Sequence, residues 1–137
     1  MPLEKSMRRV REVVTRPDVF RFVHAELMYT DDYLPDPSFY YFKVGDGLFI
    51  YKPQPSLCLE LVTAIRGDDI PPNPVSVFNK QLEYLANLGW YKIYAVVCKE
   101  NRTARLMCRV GGLKLEKDNK INVYSKVIYN GKNQKRA

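Results

Sequence analysis

The chain has 137 residues, of which 27% are charged, and its formal net charge is +7. This length is enough for one domain that buries roughly two thirds of the surface of its unfolded chain, so no covalent staple is needed. One histidine and three separated cysteines, Cys58, Cys98 and Cys108, exclude a structural zinc site and a disulfide scaffold and indicate a reducing compartment. A charged N-terminus and the lack of an apolar run of about 18 residues exclude a signal peptide and a membrane helix, so we expect a soluble protein.

Positive charge is concentrated at the two ends of the chain. The candidate partner-binding residues are the basic side chains of these ends: Arg8, Arg9, Arg11, Lys132, Lys135 and Arg136. Such clusters attract an acidic polymer or an acidic protein surface, and they are also typical of a solvated face and a frayed terminus. We expect a single domain over residues 1–130 and a basic C-terminal tail over residues 131–137.

Two short helices are predicted first along the chain. Apolar residues recur at helical spacing over residues 6–14, and Pro17 suits the first position of a second helix that contains Val19, Phe20, Val23 and Leu27. His24 lies on that second helix and is interpreted as a half-buried, hydrogen-bonded residue rather than a base or a ligand. The prolines and aspartates of residues 29–38 predict a loop.

A β-hairpin and a further strand follow. Residues 39–44 and 48–52 are rich in aromatic and aliphatic side chains and flank Gly45-Asp46-Gly47, which is typical of a hairpin turn. Residues 57–65 alternate in character and predict the next strand, with Glu60 on its outer face.

The middle of the chain predicts a helix and then a central strand. Asn73 and Pro74 suit the start of the helix, Gly89 ends it, and its buried stripe is predicted to be Val75, Phe78, Leu82 and Leu85. Residues 90–98 are almost continuously apolar, which is typical of a strand covered on both faces of a sheet.

A capped helix and two strands complete the pattern. Asn101 is predicted to cap a helix whose apolar stripe is Ala104, Met107 and Cys108, and glycines at 111 and 112 end that helix. Residues 112–116 and 121–128 then predict a terminal antiparallel pair joined by a polar turn.

The segment from Asn101 onward resembles the strand-then-helix signature of the GNAT acyltransferase superfamily. That signature has an asparagine, an alanine three residues later, a tyrosine seven later, and Gly-Phe eleven and twelve later. Asn101, Ala104 and Gly112 match it, whereas Cys108 and Leu113 stand at the tyrosine and phenylalanine positions. The resemblance covers about residues 6–128. It implies a GNAT-like α/β (α+β) fold with a central mixed, mostly antiparallel sheet of about six strands and helices on both faces, in which the usual first strand, over residues 2–5, is short or absent.

The resemblance also directs attention to the loop after residue 65. In GNAT enzymes this loop reads Arg/Gln-x-x-Gly-x-Gly/Ala and holds the pyrophosphate of acyl-coenzyme A on its backbone N–H groups. Here residues 66–74 keep one arginine and one glycine but add two aspartates and three prolines, which have no N–H to donate. We therefore expect no cofactor. If acetyl-CoA does bind, the resemblance implies these cofactor-binding residues: Val62, Thr63, Ala64, Arg66 and Asn73.

Acetyl transfer in this superfamily needs a base and often a tyrosine that protonates the leaving thiolate. Glu60 is the candidate base, while Asn101 and Cys108 are candidates because they stand at signature positions. A solvated glutamate and a core cysteine are the plainer interpretations of Glu60 and Cys108. No metal ligand set is predicted.

Three functions follow from this pattern. The chain resembles small GNAT-like proteins of tailed-phage structural gene regions, which implies a non-catalytic scaffold in head or virion assembly, in the virion or the host cytoplasm. Its partners would then be portal, tail or capsid proteins or packaged DNA. The alternative is an acetyl-CoA-dependent N-acetyltransferase, and the second alternative is a nucleic-acid-binding module with Tyr40, Tyr41 and Tyr51 as stacking faces.

Overall fold

The structure is a computed structural model that describes residues 3–17, 19 and 36–129. It contains six strands, which are β1 (Tyr40–Val44), β2 (Gly47–Gln54), β3 (Cys58–Ala64), β4 (Lys92–Cys98), β5 (Lys114–Asp118) and β6 (Ile121–Val127). The helices whose bounds fall within the described residues are α1 (Met7–Val14), α2 (Pro74–Asn87) and α3 (Arg102–Val110), and a 3₁₀ turn lies at Gly67–Asp69. Most of the predicted second helix, His24, most of the 29–38 loop and the basic tail lie outside the described residues.

The six strands form one sheet in the order β1-β2-β3-β4-β6-β5. All neighbouring strands are antiparallel except β3 and β4, which are parallel and are joined through α2. A parallel pair requires such a crossover because its second strand must start at the same end of the sheet. The predicted fold class is confirmed, and β4 is central as expected.

The two faces of the sheet carry separate cores. One face, here the helix-pair face, packs side chains such as Phe49, Leu61 and Ala95 against α2 and α3. The opposite face, here the α1 face, packs Ile50 and Val62 against the valines of α1. The α1 core covers the β1–β3 half of its face, and side chains of β4 on that face are half-buried. Helices on both faces thus match the prediction.

Several details of the predicted elements are wrong. Val75 is exposed on the first turn of α2, and Gln81 takes a buried position on that helix instead. The strand β4 alternates between buried and half-buried residues rather than being covered on both faces, because the described helices leave one side of it open. The first strand reduces to one bridge between Leu3 and Phe42, as its short sequence implied.

Of the two predicted helix caps, Asn101 is confirmed and Asn73 is not, and Ser6 caps α1 as well. Ser6 accepts a hydrogen bond from the N–H of Arg9 at the start of α1, and Asn101 accepts one from Ala104 at the start of α3. Asn73 precedes α2 without a side-chain capping bond, so Pro74 at the first helical position carries that start.

Candidate active site

Strands β3 and β4 separate soon after they begin. Their parallel pairing runs from Cys58 and Lys92 to Glu60 and Tyr94 and then stops, although both strands continue for four more residues. We call the gap between residues 61–64 of β3 and residues 95–98 of β4 the wedge. Each of these strands is paired on its other side along its whole length, so the missing ladder is confined to the wedge.

The β3 side of the wedge is buried and short of hydrogen-bond partners. Leu61 and Thr63 are at most 7% exposed, and the hydroxyl of Thr63 is buried without a partner among the described residues. Tyr91 donates its N–H to the Leu57 carbonyl at 2.8 Å. Since main-chain groups alternate sides along a strand, we infer that those of Leu61 and Thr63 face the wedge. Buried main-chain groups require partners, so this edge suits an extended ligand that carries amides.

Of the predicted cofactor-binding residues in β3, only Thr63 combines a wedge-facing edge with a free side-chain group. By the same alternation the main-chain groups of Val62 and Ala64 face β2, and their apolar side chains belong to the α1 core. Their contribution to a bound cofactor stays a prediction.

Glu60 lies at the closed end of the wedge, in the last residue pair before the strands separate. It is half-buried on the α1 face, opposite Lys52 of β2 and beside Tyr94 of β4. The side-chain amide of Gln54 donates a hydrogen bond to its carboxylate at 3.2 Å. Burial raises the pKa of the Glu60 carboxyl, while the Lys52 ammonium and the Gln54 hydrogen bond reduce that rise. A carboxylate with a raised pKa is a better proton acceptor than an ordinary surface glutamate.

Tyr94 completes this polar group. Burial raises the pKa of its hydroxyl, and the neighbouring Glu60 and Cys58 add to the rise. It therefore remains a protonated hydrogen-bond donor at neutral pH. Sequence reasoning missed Tyr94 and Lys52, because their positions beside Glu60 depend on the register between strands that are distant in the chain.

The loop after β3 is closed by its own carboxylate. Asp69 is 5% exposed, and its carboxylate oxygens accept the main-chain N–H of Arg66 at 2.8 Å and that of Asp46 at 3.1 Å. The Arg16 guanidinium donates to the same carboxylate at 3.3 Å. We call residues 66–73 the Asp69 loop. The two aspartates therefore differ in role, since Asp68 is exposed and forms a surface ion pair with Arg66 at 3.5 Å.

The wedge and the Asp69 loop differ in the hydrogen-bonding groups that they offer to the two parts of coenzyme A. The wedge offers an unpaired edge and a partnerless hydroxyl to the amide-bearing pantetheine arm. In the Asp69 loop, the N–H of Arg66 is already bound to Asp69, and prolines at 71, 72 and 74 have no N–H. Arg66 and Asn73 lie at either end of this loop, where the resemblance implied a pyrophosphate cradle. The Arg66 N–H is therefore already bound, whereas the wedge edge of β3 has no ladder.

The other two predicted catalytic residues lie away from Glu60. Asn101 is buried at the start of α3, where its side-chain oxygen is used as a helix cap. Cys108 is fully buried in the core of the helix-pair face, near Tyr51. The structure does not bring these residues together with Glu60 in one cluster, and their chemical roles stay predictions.

The N-terminal arginines predicted to bind a partner lie on α1. Arg8 and Arg9 form ion pairs with Glu12 at 3.6 and 3.5 Å, and Arg9 also donates to the Asp46 carbonyl at 3.3 Å. Arg11 is exposed in the last turn of the helix. Exposed pairs of this kind contribute little to stability, so these side chains stay available at the surface.

The tyrosines proposed as stacking faces are mostly internal. Tyr41 and Tyr51 are at most 2% exposed, and the Tyr51 hydroxyl donates to Gln81 at 2.8 Å. Tyr40 packs edge-on against Trp90. A buried ring cannot stack on a nucleobase, so this use of Tyr41 and Tyr51 is wrong. Within the described ranges, no group of side chains could hold a metal ion, and no helix is long and apolar enough to cross a membrane.

The sheet order, the parting parallel pair and the helices on both faces define a GNAT-like fold. The chain is similar in structure to the spermidine N-acetyltransferase from Vibrio cholerae, solved in complex with CoA and spermine, with a TM-score of 0.63. The two sequences are 14% identical, and the match covers 91% of this chain and 94% of the other, so the likeness concerns the fold. No family model and no curated protein matches the sequence.

Proposed function

We propose that this protein is an N-acyltransferase that binds the pantetheine arm of an acyl thioester in the wedge and transfers the acyl group to an amine. The observation that carries the proposal is the early end of the β3–β4 pairing, which leaves a buried strand edge without a ladder. The likeness in fold to an acetyltransferase supports this function better than it supports an assembly scaffold.

The chemistry at the closed end of the wedge follows from the residues around Glu60. An acyl thioester supplies an activated carbonyl. The Glu60 carboxylate accepts a proton from the attacking amine, and the new C–N bond forms as the C–S bond breaks. The leaving thiolate then takes up that proton, which returns Glu60 to its ionised form. Lys52 holds Glu60 partly in its ionised form, since its charge opposes the effect of burial on the Glu60 pKa. The Tyr94 hydroxyl lies beside Glu60 and is a donor for the reacting groups.

Binding is tested by thermal unfolding of the full chain with S-acetylpantetheine or acetyl-CoA. A ligand at a hundredfold excess over its Kd stabilises the folded state by about 2.7 kcal/mol, which raises Tm by several degrees. Thr63→Val should reduce the Tm shift because it removes the hydroxyl. Thr63→Ser should retain the shift because it keeps the hydroxyl. If neither thioester shifts Tm, the proposal fails.

Catalysis is tested by thiol release in the presence of a panel of primary amines. Glu60→Gln should lower the amine-dependent rate roughly 10²–10⁴-fold, the usual contribution of a positioned general base. Glu83→Gln is the matched control, because Glu83 is exposed on α2 and lies in a different element. Equal rates for the two variants would remove Glu60 from the mechanism.

A second function, a non-catalytic scaffold in phage particle assembly, is favoured by the Asp69 loop. A loop whose N–H group is bound by its own carboxylate has no need of a nucleotide. In this proposal Arg8 and Arg11 on α1, with the basic tail, contact portal, tail or capsid proteins or packaged DNA. Co-purification with particles that is lost on removal of residues 131–137, together with no thioester binding, would favour it.

A further inference from the structure

We propose that the acyl donor is an acidic acyl carrier protein, which presents its acyl group on a phosphopantetheine arm, rather than free acyl-CoA. This inference rests on the proposed function, because it assumes that pantetheine lies in the wedge. Both donors carry the same arm. Coenzyme A continues it into a diphosphate and a nucleotide, whereas a carrier protein attaches it through one phosphodiester to a serine.

The hydrogen bonds of the Asp69 loop favour a donor that has no diphosphate. A buried carboxylate binds the Arg66 N–H, and the prolines that follow remove further donors. A diphosphate bound to the Arg66 N–H would have to displace the Asp69 carboxylate, which is also held by the Asp46 N–H and by Arg16. A donor that has no diphosphate avoids this cost, and the wedge beside the loop still offers its unpaired edge.

The second argument is the charge at the open end of the wedge. The strands separate toward their C-terminal ends, and α3 begins there because it follows β4 directly. Arg102 lies at this open end, and Arg105 and Arg109 follow it along α3 at spacings of three and four residues, opposite the buried stripe of the helix. We call these three residues the arginine stripe. The helix runs back toward the start of β4, because the Gly111 carbonyl after it accepts a hydrogen bond from Lys126, which pairs with Ile93. The helix contains no acidic residue, and no ion pair joins the stripe to any described residue.

The stripe is also short of local hydrogen-bond partners. The Nε atom of Arg105 is buried and has no partner among the described residues. Arg66 emerges at the same end of the wedge from the β3 side. Acidic residues there are few: Asp68 pairs with Arg66, Glu100 is exposed beside α3, and Asp118 pairs with Lys99 at 3.4 Å. Arg102 at the opening and the rest of the arginine stripe along α3 fit a partner whose surface is rich in carboxylates.

The test is a comparison of affinities by calorimetry with the full chain. The probes are a holo acyl carrier protein with its phosphopantetheine arm, the apo form without it, free coenzyme A and free pantetheine. We expect the holo protein to bind at least tenfold more tightly than either the apo form or coenzyme A. Its affinity should fall as salt is raised, since the contact is between opposite charges.

Charge reversal locates the contact. The double variant Arg102→Glu/Arg109→Glu should weaken holo carrier binding tenfold or more and leave pantetheine binding unchanged. The matched control is Lys114→Glu/Lys117→Glu, which makes the same charge change on exposed residues of β5 at the far edge of the sheet. Arg105→Gln should give a smaller loss, because one guanidinium is removed without adding a negative charge.

The outcomes separate the two proposals. If none of the pantetheine-bearing probes binds, the proposed function itself is overturned. If coenzyme A binds as tightly as the holo carrier protein, or if both double variants behave alike, the wedge is retained and the carrier protein is rejected as the donor.

Discussion

The wedge and the Asp69 loop are neighbours along β3, yet their hydrogen bonding is opposite. In the wedge, the strand edge has no ladder and the Thr63 hydroxyl has no described partner. In the loop, the Asp69 carboxylate binds two main-chain N–H groups and a guanidinium. Under the proposed function, the wedge would hold a pantetheine arm, while Asp69 binds the Arg66 N–H in the loop where the resemblance implied a pyrophosphate cradle.

Removing the Asp69 carboxylate should have the largest effect, because it removes the acceptor that distinguishes the Asp69 loop from the wedge. Asp69→Ala leaves Arg16 and two main-chain N–H groups without their acceptor, and we expect it to lower the free energy of unfolding by roughly 3 kcal/mol. Denaturant unfolding measures the change. Asp68→Ala is the control, because its carboxylate is exposed and its loss should cost less than 1 kcal/mol. Similar losses for both variants would show that Asp69 does not organise the loop.

The turn that rests on the loop gives the next effect. Gly45 has φ of +59°, and a Cβ there would come within 2.8 Å of the Asp69 carbonyl oxygen. Gly45→Ala should therefore cost about 2 kcal/mol, from backbone strain and from displacement of Asp69. Gly89→Ala separates these causes, since Gly89 also has positive φ but has no atom within 4 Å of the added carbon. If Gly45→Ala lowers the free energy of unfolding no more than Gly89→Ala does, displacement of Asp69 is excluded as a cause.

A substitution in the wedge should raise the free energy of unfolding rather than lower it. Thr63→Val removes a buried hydroxyl that has no described partner, so the ligand-free protein should gain about 1 kcal/mol in unfolding free energy. The same variant should bind S-acetylpantetheine more weakly. A variant that loses stability without ligand would contradict the assignment of an unsatisfied group to the wedge.

The smallest effect concerns the pH dependence of stability at the closed end of the wedge. Burial raises the pKa of Glu60 in the folded chain above its unfolded value, so the stability it contributes is lost as pH rises through that raised pKa. Glu60→Gln cannot ionise. Its stability relative to the natural chain should therefore increase from about pH 4 to about pH 8, as followed by Tm. An unchanged difference across this range would mean that Glu60 is as solvated as a surface glutamate.

The sequence by itself determined the order of the elements that the structure describes. Helical spacing of valines marked α1, Pro74 and Asn101 marked the starts of α2 and α3, and Gly45-Asp46-Gly47 marked the hairpin turn. These signals are local, because caps, turns and periodicity depend on residues a few positions apart. The resemblance to GNAT enzymes also indicated Glu60 and Thr63 as candidate site residues.

Only the tertiary structure decided what surrounds those candidates. The end of the β3–β4 pairing and the place of Tyr94 beside Glu60 depend on contacts between distant segments. Asp68 and Asp69 are adjacent and chemically alike, yet one is exposed and the other is bound to Arg16 and to the Asp46 N–H. Their difference arises because α1, the hairpin turn and the loop meet at one point, and no local pattern in the sequence encodes that meeting.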